Sequence, residues 1–525
     1  MSAANSSALS YIGGINKSLE SRSMERQSVK YDLYTLDDIN ANNILSDDIK
    51  VTGNKPTDAI IFISENRVRN ANICIDGYNV IYNGDSSEVV GECNTLYKEG
   101  VLNGSYPVYS SNLIPVKIDN GKATDNYATA GKVYKANISS EWYNYNNKQW
   151  ANAVILKESV KDKYKDKPSG TEISLSDIES YFVWIPKYSY QLFSVTKYTS
   201  VISEKPTTSI ADTIDIRFGA TNTSDDNTGE CTTPMLSGET GGCEKDDYMT
   251  HPAFISMNTN GFWAAKFETT GSTTNLSVLP GATSLRSQTV KSMFELAYNY
   301  SRNNDSHMMK NKEWGAVTYL SHSNYGIGTE VRINNNSSYL TGYAAVTAPT
   351  CYGDSSCNVY GNTDTVTKPY NTSTGYLAST TGNITGVYDM SGGANEYMAA
   401  YIADTYKDSG FDVSTISKYN SKYFDVYKNN STATSYANMI LGDATGEMGP
   451  FYYYEDMDKN ATTGNYNSRY HNNWYADVSA FVHSSYPWFG RGGGYYAGVL
   501  AGQFNFYGDT GGSDGNVGFR LVLAH

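Results

Sequence analysis

Near the amino terminus, apolar residues recur at helical spacing with polar residues between them: Ala8, Ile12, Ile15 and Leu19. This spacing predicts an amphipathic helix. The period then changes, because KPTDAIIFISENRVRNANICIDGYNVIYNGD alternates apolar and polar residues in short runs. Turn-forming pairs interrupt these runs at Glu65-Asn66, Asp76-Gly77 and Asn83-Gly84. The pattern predicts an antiparallel meander of three or four strands packed on the helix.

From about residue 105 onward, long helical periods are scarce and aromatic runs typical of strands are common. Two such runs are YFVWIPKYSYQLF (181–193) and GFWAAKFETTG (261–271). Two shorter stretches, MFELAYNYS (293–301) and NKEWGAVTYL (311–320), have helical character. Loops take up most of the remainder. We therefore expect an α+β protein with a small N-terminal module over 1–93, a linker over 94–104 and one large domain over 105–525, with an insertion around 401–470.

Composition narrows the class of protein. Of the 525 residues only 18% are charged, while 46 are Tyr and 46 are Gly, which is typical of secreted, loop-rich β proteins. A net charge of −14 without any basic run argues against a nucleic-acid partner. No window reaches the roughly 18 to 20 apolar residues of a membrane helix, and no signal-peptide core lies near Met1.

The six cysteines form three local pairs along the sequence: Cys74 with Cys93, Cys231 with Cys243, and Cys351 with Cys357. None has the Cys-x-x-Cys spacing of a metal or redox site. We expect disulfides formed in an oxidising compartment, with free thiols as the alternative. The spacing alone leaves the connectivity open.

The N-terminal pattern of one helix and a meander resembles the periplasmic or extracellular half of a type IV pilin or pseudopilin. The following segment, YDLYTLDDINANNILSDDIKVTGNKPTD, resembles Gram-positive members of that family. Family members begin with a cleaved leader and an apolar anchoring half-helix, both of which this sequence lacks, so we expect a truncation just before Ser2. The resemblance implies other pilin subunits as partners through the helix. An unrelated small α+β domain is the alternative.

Five strings in the large domain resemble, in order, the formylglycine-generating-enzyme-like branch of the C-type lectin fold. They are HPAF (251–254) with GFWAAKFE, the two helical stretches, GVYDMSGGANEY (386–397), FGRGGG (489–494) and NVGFRLVL (516–523). The resemblance implies a loop-rich fold of short strands in which Trp488, Arg491, Phe519 and Arg520 are scaffold. Arg520 is expected to tie the last strand to a loop through its guanidinium group.

Candidate chemistry within this frame is sparse. Asp389, Asn395 and Glu396 could bind a structural metal such as calcium, or they could hydrogen-bond loop backbone. Oxidases that resemble this domain hold copper with cysteines near the C-terminal glycine-rich segment, yet no cysteine follows Cys357. The six histidines are scattered, with no two within four residues. We therefore expect no catalytic site and no other cofactor.

The final segment, residues 484–523, is rich in Tyr, Gly, Asn and Asp between large apolar residues. Tyrosine offers rigid, amphipathic contact area and small polar residues offer adaptable hydrogen bonds, as in antibody loops. The segment also resembles the variable proteins of diversity-generating retroelements. That resemblance implies ligand-binding, variable positions at Gly494, Tyr495, Tyr496, Ala497, Val499, Leu500, Tyr507, Gly508, Asp509, Thr510, Ser513 and Asp514.

Trp474 and Tyr475 are expected to flank the same face. The alternative is that these are turn and strand residues of the fold with half-buried tyrosines. Taken together, the sequence predicts an extracellular adhesin displayed on a pilus or cell surface, which binds a protein or glycan on a cell, phage or host. A structural pilin with a fixed decoration domain and a metal-dependent oxidase of the same fold are the other two hypotheses.

Overall fold

The structure is a computed structural model, and it mixes helix and sheet with strands predominating. It describes residues 107, 110, 112–121, 130–136, 142–191, 214, 216–218, 226–227, 248–257, 259, 261–347, 366–427, 477, 482 and 484–524, together with the backbone of the strands between Asp32 and Glu92. The α-helices of these residues are α1 (Pro252–Met257), α2 (Val290–Tyr300), α3 (Asn311–Ser321) and α4 (Val413–Ile416).

The N-terminal strands form one five-stranded antiparallel sheet in chain order. They are β1 (Asp32–Tyr34), β2 (Ile60–Ser64), β3 (Arg67–Ile75), β4 (Tyr78–Tyr82) and β5 (Ser87–Glu92). The three turn-forming pairs of the sequence fall between consecutive strands, so residues 60–92 form an antiparallel meander. The predicted amphipathic helix lies outside the described residues.

The remaining strands follow in chain order. They are β6 (Leu113–Ile118), β7 (Val133–Lys135), β8 (Asn152–Leu156), β9 (Glu172–Ile173), β10 (Ile178–Pro186), β11 (Tyr188–Gln191), β12 (Ile216–Phe218), β13 (Asp226–Asn227), β14 (Tyr248–Thr250), β15 (Gly261–Ala265), β16 (Thr270–Ser272), β17 (Asn275–Ser277), β18 (His307–Met308), β19 (Tyr343–Ala345), β20 (Thr367–Pro369), β21 (Asn395–Ile402), β22 (Asp425–Tyr427), β23 (Trp488–Gly492), β24 (Gly502–Asp509), β25 (Val517–Phe519) and β26 (Leu521–Ala524).

An eight-stranded antiparallel sheet carries most of the core, in the order β18-β26-β15-β10-β8-β6-β7-β9. In its central strands β10 and β15, successive residues are buried without alternation, because both faces of these strands are covered. Trp184 and Trp263 face each other across this pair with ring centroids 5.3 Å apart. The two helical stretches of the sequence became α2 and α3.

A second sheet, in the order β22-β21-β23-β24, carries the C-terminal segment, and β25 joins it by pairing with β21. Strand β21 runs parallel to β22 and β25 and antiparallel to β23. The predicted insertion around 401–470 begins inside β21. Residues 401–427 supply the end of β21, α4, β22 and buried rings such as Phe411 and Phe424. Residues 428–476 lie outside the described part.

Candidate ligand-binding face

The connection between β23 and β24, residues 493–501, is turned by glycines. Gly492 and Gly493 have φ values of 81° and 72°, a left-handed conformation that glycine adopts without strain. At position 493 a β-carbon would also lie 2.7 Å from the Ala501 Cα. The Tyr495 amide then donates to the Gly393 carbonyl at 2.8 Å. The loop is therefore tied to the scaffold at the point where its tyrosines begin.

Tyr495 and Tyr496 leave this loop as a perpendicular pair, with ring centroids 5.3 Å apart and an interplanar angle of 88°. Tyr495 is half-buried and Tyr496 is 38% exposed. The Asn395 Nδ2 donates to the Tyr496 hydroxyl at 3.3 Å. Two large rings thus reach the surface in a defined mutual orientation.

A third ring comes from outside the C-terminal segment. Tyr339 meets Tyr495 edge to face, with centroids 4.9 Å apart. Its other neighbours are the Arg286 guanidinium, 3.6 Å from the ring centroid, and Asn516, whose Oδ1 accepts from the Tyr339 hydroxyl. Burial raises the pKa of Tyr339, as does Tyr495, while Arg286 opposes the rise. Nothing in the polar stretch NNNSSYLTGY had distinguished this tyrosine.

The second half of the face comes from the end of β24 and the loop after it. The Tyr507 phenol oxygen is buried and has no hydrogen-bond partner among the described residues, and burial raises its pKa well above the ordinary value. Asp509 accepts from the Tyr397 hydroxyl at 2.5 Å and from the Gly511 amide at 2.9 Å. We call the surface of Tyr495, Tyr496, Tyr507, Asp509 and Asp514, together with the buried Tyr339 ring that packs against Tyr495, the tyrosine face.

The structure separates the predicted binding positions into two groups. At least partly exposed are Tyr495, Tyr496, Ala497, Tyr507, Gly508, Asp509, Thr510, Ser513 and Asp514. Gly494 and Leu500 are buried, with Leu500 only 4% exposed, so neither presents a side chain to a ligand. A β-carbon at position 508 would lie 2.7 Å from the Tyr486 carbonyl oxygen. The Val499 side chain, Trp474 and Tyr475 lie outside the described part.

Arg491, in β23, is fully buried, and its guanidinium group ties the first half of β24 to the start of α3. It donates to the Asn505 carbonyl at 2.7 Å, the Gln503 carbonyl at 3.1 Å and the Asn311 Oδ1 at 2.8 Å. The guanidinium carbons of Arg491 and Arg520 both lie near the Trp314 ring, 5.5 and 5.8 Å from its centroid. Trp488 and Phe519 are also fully buried. These scaffold side chains therefore do not reach the surface.

Arg520 is a cation buried among three carboxylates, those of Glu268, Asp389 and Glu396. Its Nε donates to Glu396 Oε2 at 3.0 Å and its Nη2 to Glu396 Oε1 at 2.5 Å, while Nη1 and Nη2 reach the carbonyls of Ala265 and Asp389. The Asp389 carboxylate accepts from the Gly342 amide and Asn334. Burial, together with the Asp389 and Glu396 charges, raises the pKa of Glu268 well above its usual range.

These contacts bear on the candidate metal ligands. Asp389 and Glu396 are occupied by backbone amides and a guanidinium, and the Asn395 amide group points to Tyr496. Within the described ranges, no group of three or more His, Cys, Asp or Glu side chains is placed to hold a metal ion. No helix in that same part of the chain is long and apolar enough to cross a membrane. The thiols of all six cysteines, including Cys74 in β3, lie outside the described side chains.

Comparison with known proteins yields little. No protein-family model matches the chain, and no curated protein sequence does. Among solved structures, the chain is similar to one titled Major Tropism Determinant I1 Variant, with 9% sequence identity and a TM-score of 0.23. That alignment covers 85% of this chain and 92% of the other.

Proposed function

We propose that the protein binds a macromolecular ligand and that the tyrosine face is its recognition surface. The observation that carries this proposal is the pairing of a fixed backbone with accessible rings. The Tyr495 amide is bonded to the Gly393 carbonyl, the Leu500 carbonyl accepts from the Asn505 Nδ2, and Tyr496 remains 38% exposed. Large surface rings held in place in this way provide contact area without the cost of ordering a flexible loop.

The neighbours of the rings suit protein or glycan recognition. Asp509, Ser513 and Asp514 surround the tyrosines with partly exposed polar groups. Rigid aromatic anchors within a polar rim are typical of protein interfaces, where buried tyrosines supply much of the binding energy. The residues that define the face include two carboxylates, Asp509 and Asp514, and the neighbouring cation Arg286 is stacked on the Tyr339 ring. This composition supports an uncharged or basic ligand surface over an anionic one.

The wider setting is part of the same proposal. The ordered strings of the large domain support a C-type lectin fold, and the composition of residues 494–514 supports a segment diversified by a retroelement. The N-terminal meander supports a pilin-like module that displays the domain outside the cell. The ligand is then a protein or glycan on another cell, a phage or a host, and the domain binds without catalysis.

The test uses arrays of immobilised glycans and purified surface proteins of bacteria, phages and host cells. Wild-type chain is compared with the double variant Tyr495→Ala/Tyr496→Ala and with the control Tyr134→Ala, a half-buried tyrosine on the eight-stranded sheet. We expect array binding by the wild type and the control, and its loss in the double variant at nearly unchanged Tm. Equal binding by all three chains would overturn the assignment of the face.

A further inference from the structure

Tyr339 contacts both halves of the tyrosine face, although it lies far from them in sequence. Its ring meets Tyr495, in the loop between β23 and β24, at 4.9 Å and 84°. Its hydroxyl donates to Asn516, in the loop between β24 and β25. One side chain therefore joins the two loops that precede and follow β24.

The backbone around Tyr339 is held in an unfavourable conformation. Its φ is 54°, in the left-handed region that a residue with a β-carbon rarely occupies. The Tyr339 amide donates to the Asn336 carbonyl at 2.9 Å, and its carbonyl accepts from the Ser284 amide at 3.0 Å. Strain of this kind persists where surrounding contacts fix it, and it is concentrated at functional sites.

Arg286 adds a second contact between the Tyr339 ring and the loop after β24. Its guanidinium carbon lies 3.6 Å from the Tyr339 centroid, and its Nη1 donates to the Gly515 carbonyl. Arg286 thus binds the second loop one residue before Asn516. The Tyr339 ring therefore contacts both a guanidinium and the Tyr495 ring.

We infer that Tyr339, supported by Arg286, is a positioning residue that fixes the two loops of the tyrosine face relative to each other before a ligand binds. The inference rests on the proposed function for its biological meaning. Side chains within 494–514 can then differ in chemistry while Tyr339 keeps their backbones in register. Preorganisation of this kind lowers the ordering cost of binding.

Amide hydrogen exchange on the full chain tests this inference without any ligand. Tyr339→Phe keeps the ring contacts with Tyr495 and Arg286 but removes the hydroxyl bonded to Asn516. Tyr339→Leu removes the ring contacts and the hydroxyl. We expect Tyr339→Phe to speed exchange about fivefold in peptides covering 510–517 alone, the loss of roughly one hydrogen bond. Tyr339→Leu is expected to speed exchange in peptides covering 494–501 as well.

The matched control is Tyr300→Phe, which removes a tyrosine hydroxyl bonded to Ser180 at 2.8 Å, away from the face. Unchanged exchange in both loops of Tyr339→Leu would overturn the inference. Amide exchange that is accelerated equally in β21 and in the two loops of Tyr339→Leu would also overturn it, because Tyr339 would then contribute to overall stability and not to the position of the loops. Array binding separates the positioning role of Tyr339 from the proposed binding function. If Tyr495→Ala/Tyr496→Ala loses array binding while exchange in Tyr339→Leu is unaltered, only the positioning role is refuted.

Discussion

The Tyr507 ring lies directly over the α-carbon of Gly490, its partner across β23 and β24. A β-carbon at position 490 would stand 2.2 Å from the Tyr507 Cζ and 2.6 Å from its hydroxyl oxygen. Gly490 also pairs with Tyr397 of β21, so the glycine leaves room between two tyrosines. Tyr507 is therefore part of the scaffold as well as of the tyrosine face.

Gly490→Ala should lower the free energy of unfolding by about 1 to 3 kcal/mol, since overpacking forces the Tyr507 ring away. The double variant Gly490→Ala/Tyr507→Ala should lose less free energy of unfolding than the two single variants lose together, because the new β-carbon no longer meets a tyrosine ring. Urea unfolding of the four chains of this cycle measures the coupling. Strict additivity would show that the Tyr507 ring moves aside freely.

Arg520→Met should destabilise the protein by about 3 to 5 kcal/mol, because it leaves buried carboxylates without their cation. Glu396→Gln added to it should restore part of that loss. The control is Lys132→Met, which breaks an exposed ion pair with Glu172 of 3.2 Å. This should leave the free energy of unfolding nearly unchanged, because exposed ion pairs are screened by solvent. Similar losses of stability in Arg520→Met and Lys132→Met would show that Arg520 does not compensate buried carboxylates.

The free energy of unfolding should fall as pH rises above 4.5, in part because of Glu268. Its pKa is raised in the folded protein from 4.5, so its stabilising contribution is complete below pH 4.5 and is lost as pH rises through the folded value. Glu268→Gln preserves an acceptor for the Ala394 amide and removes the titration. Urea unfolding at pH 5 and pH 8.5 should show a smaller difference for this variant than for wild type.

Two of the predicted binding positions should lose very different amounts of stability when replaced by alanine. Leu500→Ala should cost about 2 to 5 kcal/mol, because a buried side chain is removed. Tyr496→Ala should change stability by about 1 kcal/mol or less, because its ring is partly exposed. Thermal unfolding of both variants decides whether surface and core are assigned correctly, and equal losses would place Tyr496 in the core.

If residues 494–514 are diversified by a retroelement, the gene should vary within one population. Sequencing the 3′ end of the gene across a population should find substitutions concentrated at exposed positions such as Tyr495, Tyr496 and Ser513. Gly490 and Gly502 should remain fixed, because a β-carbon at 502 would lie 2.0 Å from the Asp477 carboxylate. A near-copy repeat and a reverse transcriptase should lie nearby. An invariant 3′ end would instead leave a binding protein of fixed specificity.

Local patterns were readable in the sequence because local physics decides them. The turn pairs between β2 and β5, the strands at 181–193 and the helix at 293–301 all follow from period and turn chemistry. The contribution of Tyr339 was not readable, since its role depends on contacts with Tyr495 and Asn516 far along the chain. Likewise, the burial of Leu500 depends on how its loop folds back, which composition does not reveal.

The eight-stranded sheet has a kinetic consequence. Trp263 in β15 pairs with Leu523 in β26, so the middle of the sheet closes only after segments some half a chain apart have met. Such long-range pairing delays folding because the entropy of closing the loop must be lost before the strands gain contacts. Until then, β15 has a bare apolar edge that neighbouring chains can join. We therefore expect folding assistance to determine how much binding-competent protein a cell obtains.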